Sequence, residues 1–357
     1  MPINRIYLTW LDKIKQLWPQ ARVTTQRNMA WLLAGLWRSR SVRLSRIASQ
    51  IPSRAALPSI TRRLSRFLAN ADVRAREWYA PIARELLRRV PTDQPIRLIV
   101  DSTKVGAGHQ LLLVSLAYRH RALPLCWSWV PWPRGHCSGR RHLAVLSAVR
   151  QLLPAPADVV LVGDSEFGSI EVLRPVDQWG WKYALRQKGS HLVRADDQAP
   201  WQRLDSWVQR PGERVWRSHH QLTASHAYLT NLLADWQVGQ KAPCLLATNL
   251  PDAATTQRAY RRRMWIDESF GDLKDNGFDL EKSHLFHFAK LSRLTLAVCL
   301  LYVSTVALGS QTIKNSQRHF VDRRDRRDLS IFRIGLYMLE RLLLLDQPWA
   351  VKLGPYF

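Results

Sequence analysis

Two acids stand at the ends of short apolar runs, the kind of place where a chain can do chemistry. Ile96-Arg97-Leu98-Ile99-Val100 leads into Asp101, and Val159-Val160-Leu161-Val162-Gly163 leads into Asp164. A small hydroxyl residue follows each, Ser102 and Ser165. Strand carboxyl ends are where an α/β sheet gathers ligands and catalytic groups. If the two strands are parallel neighbours, both acids point into one crevice. Carboxylates held side by side repel unless a cation sits between them, and hard oxygen donors select Mg²⁺ or Mn²⁺. The plainer alternative is that each Asp caps the turn that follows it.

A third acid, Asp267, lies on a stretch that reads as one long helix over residues 255–274. Tyr260 lies seven residues before it, Arg263 four before, and Lys274 seven after. At about 3.6 residues per turn these positions share one stripe, while Trp265, Ile266, Phe270 and Leu273 supply the apolar face. A carboxylate flanked by cations suits a metal ligand beside a phosphate backbone. A solvated, salt-bridged helix is the alternative. Glu268 falls about 100° off the stripe, so Asp267 is the preferred third acid and Glu268 the alternate.

The elements that must position these residues follow from the patterning. Residues 1–92 read as short basic helices joined by turns, which suits a helical DNA-binding region; a solvated basic bundle is the alternative. Residues 110–118 and 122–130 follow the first strand as a meander, with a tight connection at 119–121. A helix over 140–153 and the strand ending at Asp164 come next. Three strands in a meander, a helix, and a strand parallel to the first is the order of ribonuclease-H-like folds. The expected organisation is a first part of an α/β catalytic core over 93–174 and a strand-rich insertion over 175–250. The catalytic helix and the end of the core follow over 251–310, then a helical C-terminal region over 311–357.

Composition points to the partner. The chain has 357 residues, and 53 Lys and Arg stand against 28 Asp and Glu, a net charge of +25. Such an excess repels itself unless a polyanion offsets it, and nucleic acid is the expected one. Apolar residues at 46% exclude a disordered chain. Sixteen Trp offer faces for base stacking, although most Trp are core. The four cysteines show no zinc spacing, and His136 beside Cys137 lacks a second ligand pair. Gly106-Ala107-Gly108 is a turn signal and no nucleotide loop; His219, His220 and His226 receive no role. No signal-peptide core is present at the N-terminus. The longest apolar run, 294–309, contains Ser304 and Thr305 and reads as a buried core helix. A soluble, cytoplasmic protein, not associated with a membrane, is expected.

The order Tyr260, Arg263, Asp267, Lys274, with gaps of two, three and six residues, resembles the Tyr-Arg-Glu-Lys signature of one group of bacterial insertion-sequence transposases. IVDSTKV around Asp101 and VLVGDSEFGS around Asp164 resemble the two Asp motifs of the same DDE family, and RMWIDESFGDLKDNGFDLEKSH resembles its third. The resemblance covers roughly residues 95–310. It implies a ribonuclease-H-like core and two divalent ions, Mg²⁺ or Mn²⁺, held by Asp101, Asp164 and Asp267. These would serve in-line displacement at phosphorus, by water and then by a DNA 3′-hydroxyl. Tyr260, Arg263 and Lys274 would contact DNA phosphates. The implied partners are transposon terminal inverted repeats and target DNA, with a homodimer on paired ends. The family places Glu where this chain has Asp267, one methylene shorter. The separation of 103 positions between Asp164 and Asp267 (267 − 164) resembles that of members with a strand-rich insertion. In some of these an aromatic residue of the insertion stacks on a flipped base; Trp201, Trp207, Trp216 and Trp236 are candidates, with a core role as the alternative. A catalytically inactive, transposase-derived DNA-binding protein and a related nuclease are the other functions this pattern allows.

Overall fold

Three consecutive strands, buried along nearly all of their length, build one edge of a large sheet. Residues 2–106, 108–131 and 138–357 are described by a computed structural model; His136, Cys137 and Ala107 lie outside them. Five helices come first: α1 (Pro2–Leu17), α2 (Val23–Ser39), α3 (Leu44–Ser49), α4 (Leu57–Ala69) and α5 (Ala75–Arg88). The meander follows as β1 (Ile96–Val105), β2 (His109–Tyr118) and β3 (Arg121–Pro131), then α6 (Gly139–Arg150) and β4 (Val159–Gly163). Next come α7 (Ile170–Gln178), β5 (Lys182–Arg186), β6 (Leu192–Arg194), β7 (Gln202–Arg203), β8 (Arg214–Leu222), β9 (Tyr228–Asp235) and β10 (Cys244–Thr248). The chain ends with α8 (Ala253–Tyr260), α9 (Trp265–Leu273), α10 (Phe288–Lys314) and α11 (Ile331–Leu344).

The strands form one ten-stranded sheet in the order β3-β2-β1-β4-β5-β10-β9-β8-β6-β7. β1 to β3 are antiparallel, and β4 and β5 run parallel to β1. That first half is the ribonuclease-H-like topology expected from the sequence. The strand-rich insertion continues the same sheet, because β10 returns antiparallel to β5 and carries β9 and β8 outward. Arg119 and His120 both take left-handed φ, 42° and 63°, in the two-residue turn between β2 and β3. Such a turn matches the natural twist of a hairpin.

Three expectations change. The helix α7 runs across the boundary expected at 174/175 between the first part of the core and the strand-rich insertion, with Pro175 inside it. β1 continues beyond Asp101 to Val105 because β2 still pairs with it there. The stretch 255–274 is not one helix: a 3-10 turn over Arg261–Met264 separates α8 from α9, and Lys274 lies past the end of α9. A tight turn of three residues per revolution resets the helical phase between Tyr260 and Asp267.

α10 is longer than the apolar run suggests. Its 27 residues would suffice to cross a membrane, yet 78% of its apolar window is buried inside the fold. The N-terminal helices dock on it, with Arg293 donating to the carbonyls of Val73 (2.8 Å) and Leu68 (2.9 Å). Residues 1–92 hold 18 Lys and Arg against 4 Asp and Glu, so over half of the net charge of +25 lies in this quarter of the chain. Arg62 and Arg66 stand on the exposed side of α4, and residues 52–59 before and into it are exposed throughout.

On its other side α10 meets α11 through two glycines. A Cβ at Gly335 would lie 1.9 Å from the Thr305 carbonyl oxygen, and one at Gly309 would lie 1.9 Å from that of Ile331. Only bare backbones can approach so closely. Gly335→Ala should therefore push α11 off α10 and lower stability by about 1–3 kcal/mol. Urea unfolding measures this, and an unchanged midpoint would contradict the crossing.

Candidate active site

Register brings the first two acids together. Val100 and Gly163 are the last partners in the parallel pairing of β1 with β4, so Asp101 and Asp164 leave adjacent strands at one level. Gly163 permits the approach: a Cβ there would lie 2.7 Å from Val100 Cγ1. Each acid uses one oxygen locally. The Ser102 amide donates to Asp101 Oδ1 (2.8 Å) and the Ser165 amide to Asp164 Oδ1 (2.7 Å). Capping and convergence thus coexist, since the Oδ2 atoms of both acids lie beside the Arg263 guanidinium.

Arg263 sits among all three acids. Its Nη2 donates to Asp101 Oδ2 at 2.7 Å and lies 3.7 Å from Asp164 Oδ2, while Nη1 donates to Asp267 Oδ2 at 2.8 Å. Its Nε is buried without a hydrogen-bond partner. Glu268 points elsewhere: it is exposed and stands 3.5 Å from Arg121 Nη1. The structure therefore brings Asp101, Asp164 and Asp267 together and leaves Glu268 outside.

Burial sets the electrostatics. Lost hydration pushes the Asp101 carboxyl up to about 7; Arg263 and the Ser102 amide pull it down, and Asp267 and Asp164 push it further up. Burial also raises Asp267 above the usual carboxylate range, again against the pull of Arg263. Tyr260 lies half-buried beside Cys244, Asp164 and Arg186, and burial raises its hydroxyl well above the ordinary value. Lys274 pairs with Glu281 at 2.5 Å, close to the β1–β2 turn. Tyr260 and Arg263 thus lie beside the acids and Lys274 lies apart, by the β1–β2 turn; of the four, only Arg263 touches the three acids.

The chemistry of the donors fits a divalent cation: three carboxylates converge, and a cation, the guanidinium, already lies between them. The spacing is that of carboxylates around an arginine. Among the described residues no three acidic, His or Cys side chains stand close enough to share an ion as they are.

Sequence reasoning missed the residues that hold these acids in place. Glu166, two residues after Asp164, accepts from Ser102 Oγ at 2.6 Å and lies within reach of Gln110 Nε2 at 3.4 Å. It bridges the β4 turn back to β1, and its place inside the DSEFGS motif was the available signal. The apolar face of α9 is as expected, but Asp272 is buried with it. Arg121 Nε donates to Asp272 Oδ2 at 2.6 Å, and Ser269 Oγ accepts from the Ala122 amide (2.7 Å) and the Tyr302 hydroxyl (3.0 Å). These bonds pin α9, and so Asp267, to the start of β3 and to α10. Nothing in a helical pattern marks Asp272 as inward. Among the Trp candidates, Trp207 and Trp236 pack against the core, Arg194 stacks over Trp201 at 4.5 Å, and Trp216 donates to Ser218 Oγ at 3.2 Å.

Comparison with known proteins gives one family match. The family model described as "Transposase DDE domain" matches residues 92–304, more than half of the chain. No curated protein matches the sequence. Among solved structures, the piggyBac transposase synaptic complex with hairpin DNA is similar over 96% of this chain and 78% of that chain, at 10% identity and a TM-score of 0.41.

Two outcomes test the geometry. Arg121→Met leaves the Asp272 carboxylate buried without its partner and should cost about 3–5 kcal/mol in chemical unfolding; a change within error would mean α9 is held otherwise. Asp101 offers a pH test. Its folded-state pKa of about 7 lies above the unfolded value of about 4, so the folded form holds more protons between these limits. Stability contributed by its protonation is then present at low pH and lost as pH rises through that window. Metal-free Asp101→Asn should gain on the unmodified protein from about pH 4 to about pH 7. A constant difference would mean that Asp101 is not desolvated.

Proposed function

We propose, for a chain that belongs to the DDE transposase family, that it is the transposase of a bacterial insertion sequence. It would cut the terminal inverted repeats of its element and join the freed 3′ ends to target DNA. The observation that best supports this reading is the convergence of Asp101, Asp164 and Asp267 on one crevice of a ribonuclease-H-like sheet. Two divalent ions, Mg²⁺ or Mn²⁺, bound by these acids would activate the attacking oxygen and stabilise the leaving one in an in-line displacement at phosphorus.

The remaining roles belong to the chain's own side chains. Tyr260, Arg263 and Lys274 would hold the phosphates of the strand being cut, and Arg186, 4.0 Å from Asp164, lies beside them. Arg54, Arg62 and Arg66 would meet the duplex from the exposed side of the N-terminal region, where the positive charge is concentrated. Two ends must be cut together, so a homodimer on paired ends is the proposed assembly, acting on the nucleoid in a bacterial cytoplasm. Asp267 is the proposed third acid because Glu268 is paired outward with Arg121.

A cleavage and strand-transfer assay on terminal-repeat DNA with Mg²⁺ tests the proposal. Asp101→Ala, Asp164→Ala and Asp267→Ala should each lower the rate by at least about a thousandfold while DNA binding persists; Glu268→Ala should keep cleavage. Loss with Glu268→Ala alone would move the third acid there. Binding without cutting would leave a DNA-binding protein, and cutting without joining a nuclease. DNA affinity should also fall steeply with salt, because phosphate contacts release counterions. A flat dependence would contradict the role given to the basic surface.

A further inference from the structure

The position of Arg263 conflicts with two tasks at once. In the proposed reaction it holds a DNA phosphate and the three acids hold cations, yet here its guanidinium occupies the space between those acids. Asp101 Oδ2 and Asp267 Oδ2 are each bonded to it, at 2.7 and 2.8 Å, and Asp164 Oδ2 lies at 3.7 Å. A cluster of three carboxylates, one of them nearly buried, needs a counter-charge whenever no metal is bound. Arg263 supplies one, from the 3-10 turn that leads directly into α9.

The contact is incomplete in an informative way. Only the Nη atoms are used; Nε is buried and has no partner. A phosphate accepts from a guanidinium through a two-pronged geometry that can include Nε. Moving from the acids to a phosphate would therefore satisfy a donor that the present arrangement leaves unused. It would also take a positive charge out of the cluster.

We infer that Arg263 is an internal counter-cation that blocks the acid cluster against metal until a DNA phosphate withdraws it, so that metal loading is coupled to DNA binding. The inference rests on the three acids being the metal ligands. Its thermodynamics are those of competition: cation and guanidinium seek the same oxygens, so each weakens the other. Because coupling is reciprocal, metal should also raise the affinity for DNA, by freeing Arg263 for the phosphate. A device of this kind would disfavour a charged catalytic centre on a protein that carries no substrate.

The test is Mn²⁺ binding by the full chain without DNA, followed by electron paramagnetic resonance of the free ion, with thermal melting as a second readout. Arg263→Gln and Arg263→Met, which remove the charge, should bind Mn²⁺ at least about tenfold more tightly than the unmodified protein, a difference of about 1.4 kcal/mol. Mn²⁺ should raise their melting temperature more. Arg263→Lys, which keeps a cation, should stay closer to the unmodified protein. Should either neutral variant be unfolded alone, its refolding on addition of Mn²⁺ counts as the same result.

Asp164→Asn separates the two layers of the inference. If it weakens Mn²⁺ binding while the Arg263 variants bind no more tightly than the unmodified protein, the metal site stands and the block is overturned. If Asp164→Asn and Asp101→Asn leave Mn²⁺ binding unchanged in every background, the metal-site reading falls and the block falls with it.

Discussion

The parallel pairing of β1 with β4 is the constraint on which the site depends. Two strands that stop pairing at Val100 and Gly163 deliver Asp101 and Asp164 at one level, a strand spacing of about 4.8 Å apart. No flexible loop has to bring them together. The backbone hydrogen bonds of the sheet carry the cost of holding two like charges near each other. The glycine at the end of β4 lets the strands approach, and each Asp secures its own turn with one oxygen. The second oxygen of each is thereby aimed into the crevice.

The third acid is held by different means. Asp267 comes from a short helix whose place is decided on its opposite side, where Arg121 and Asp272 form a buried ion pair and Ser269 joins β3 to Tyr302. A buried pair with extra hydrogen bonds is weak as a source of net stability. It is strong as a constraint on position, because either partner alone would be left charged and dry. Sheet and helix meet at Arg263, whose turn is short enough to place the guanidinium between the acids.

Charge is distributed unevenly over the molecule, and the unevenness matches a division of labour. The acids of the crevice form a local negative site within a protein of net charge +25. The N-terminal helices carry most of that excess and dock on α10, whose buried surface connects them to the sheet. Attraction of a polyanion to the whole and its positioning at a local cluster of acids are separate problems. The arginines beside the crevice, Arg263 and Arg186, are the groups able to reconcile them.

Much of this was legible in the sequence. The meander, the helix and the apolar runs that lead into the two acids follow from apolar patterning and turn residues, which are local properties. The spacing of Tyr260, Arg263, Asp267 and Lys274 singled out these four side chains without any knowledge of contacts. Other features needed the tertiary structure. The 3-10 turn at Arg261–Met264 breaks a pattern that the sequence alone extends as one helix, because packing of α8 and α9 against different strands overrides local preference. Glu166 and Asp272 carry no periodic signal, since a buried acid is defined by its partner, and those partners lie 64 and 151 residues away. The sequence by itself determined which side chains are the candidates for the chemistry. The tertiary structure decided that Asp267 and not Glu268 faces the other acids, and that an arginine stands among them, because only long-range packing sets where a charge finds its counter-charge.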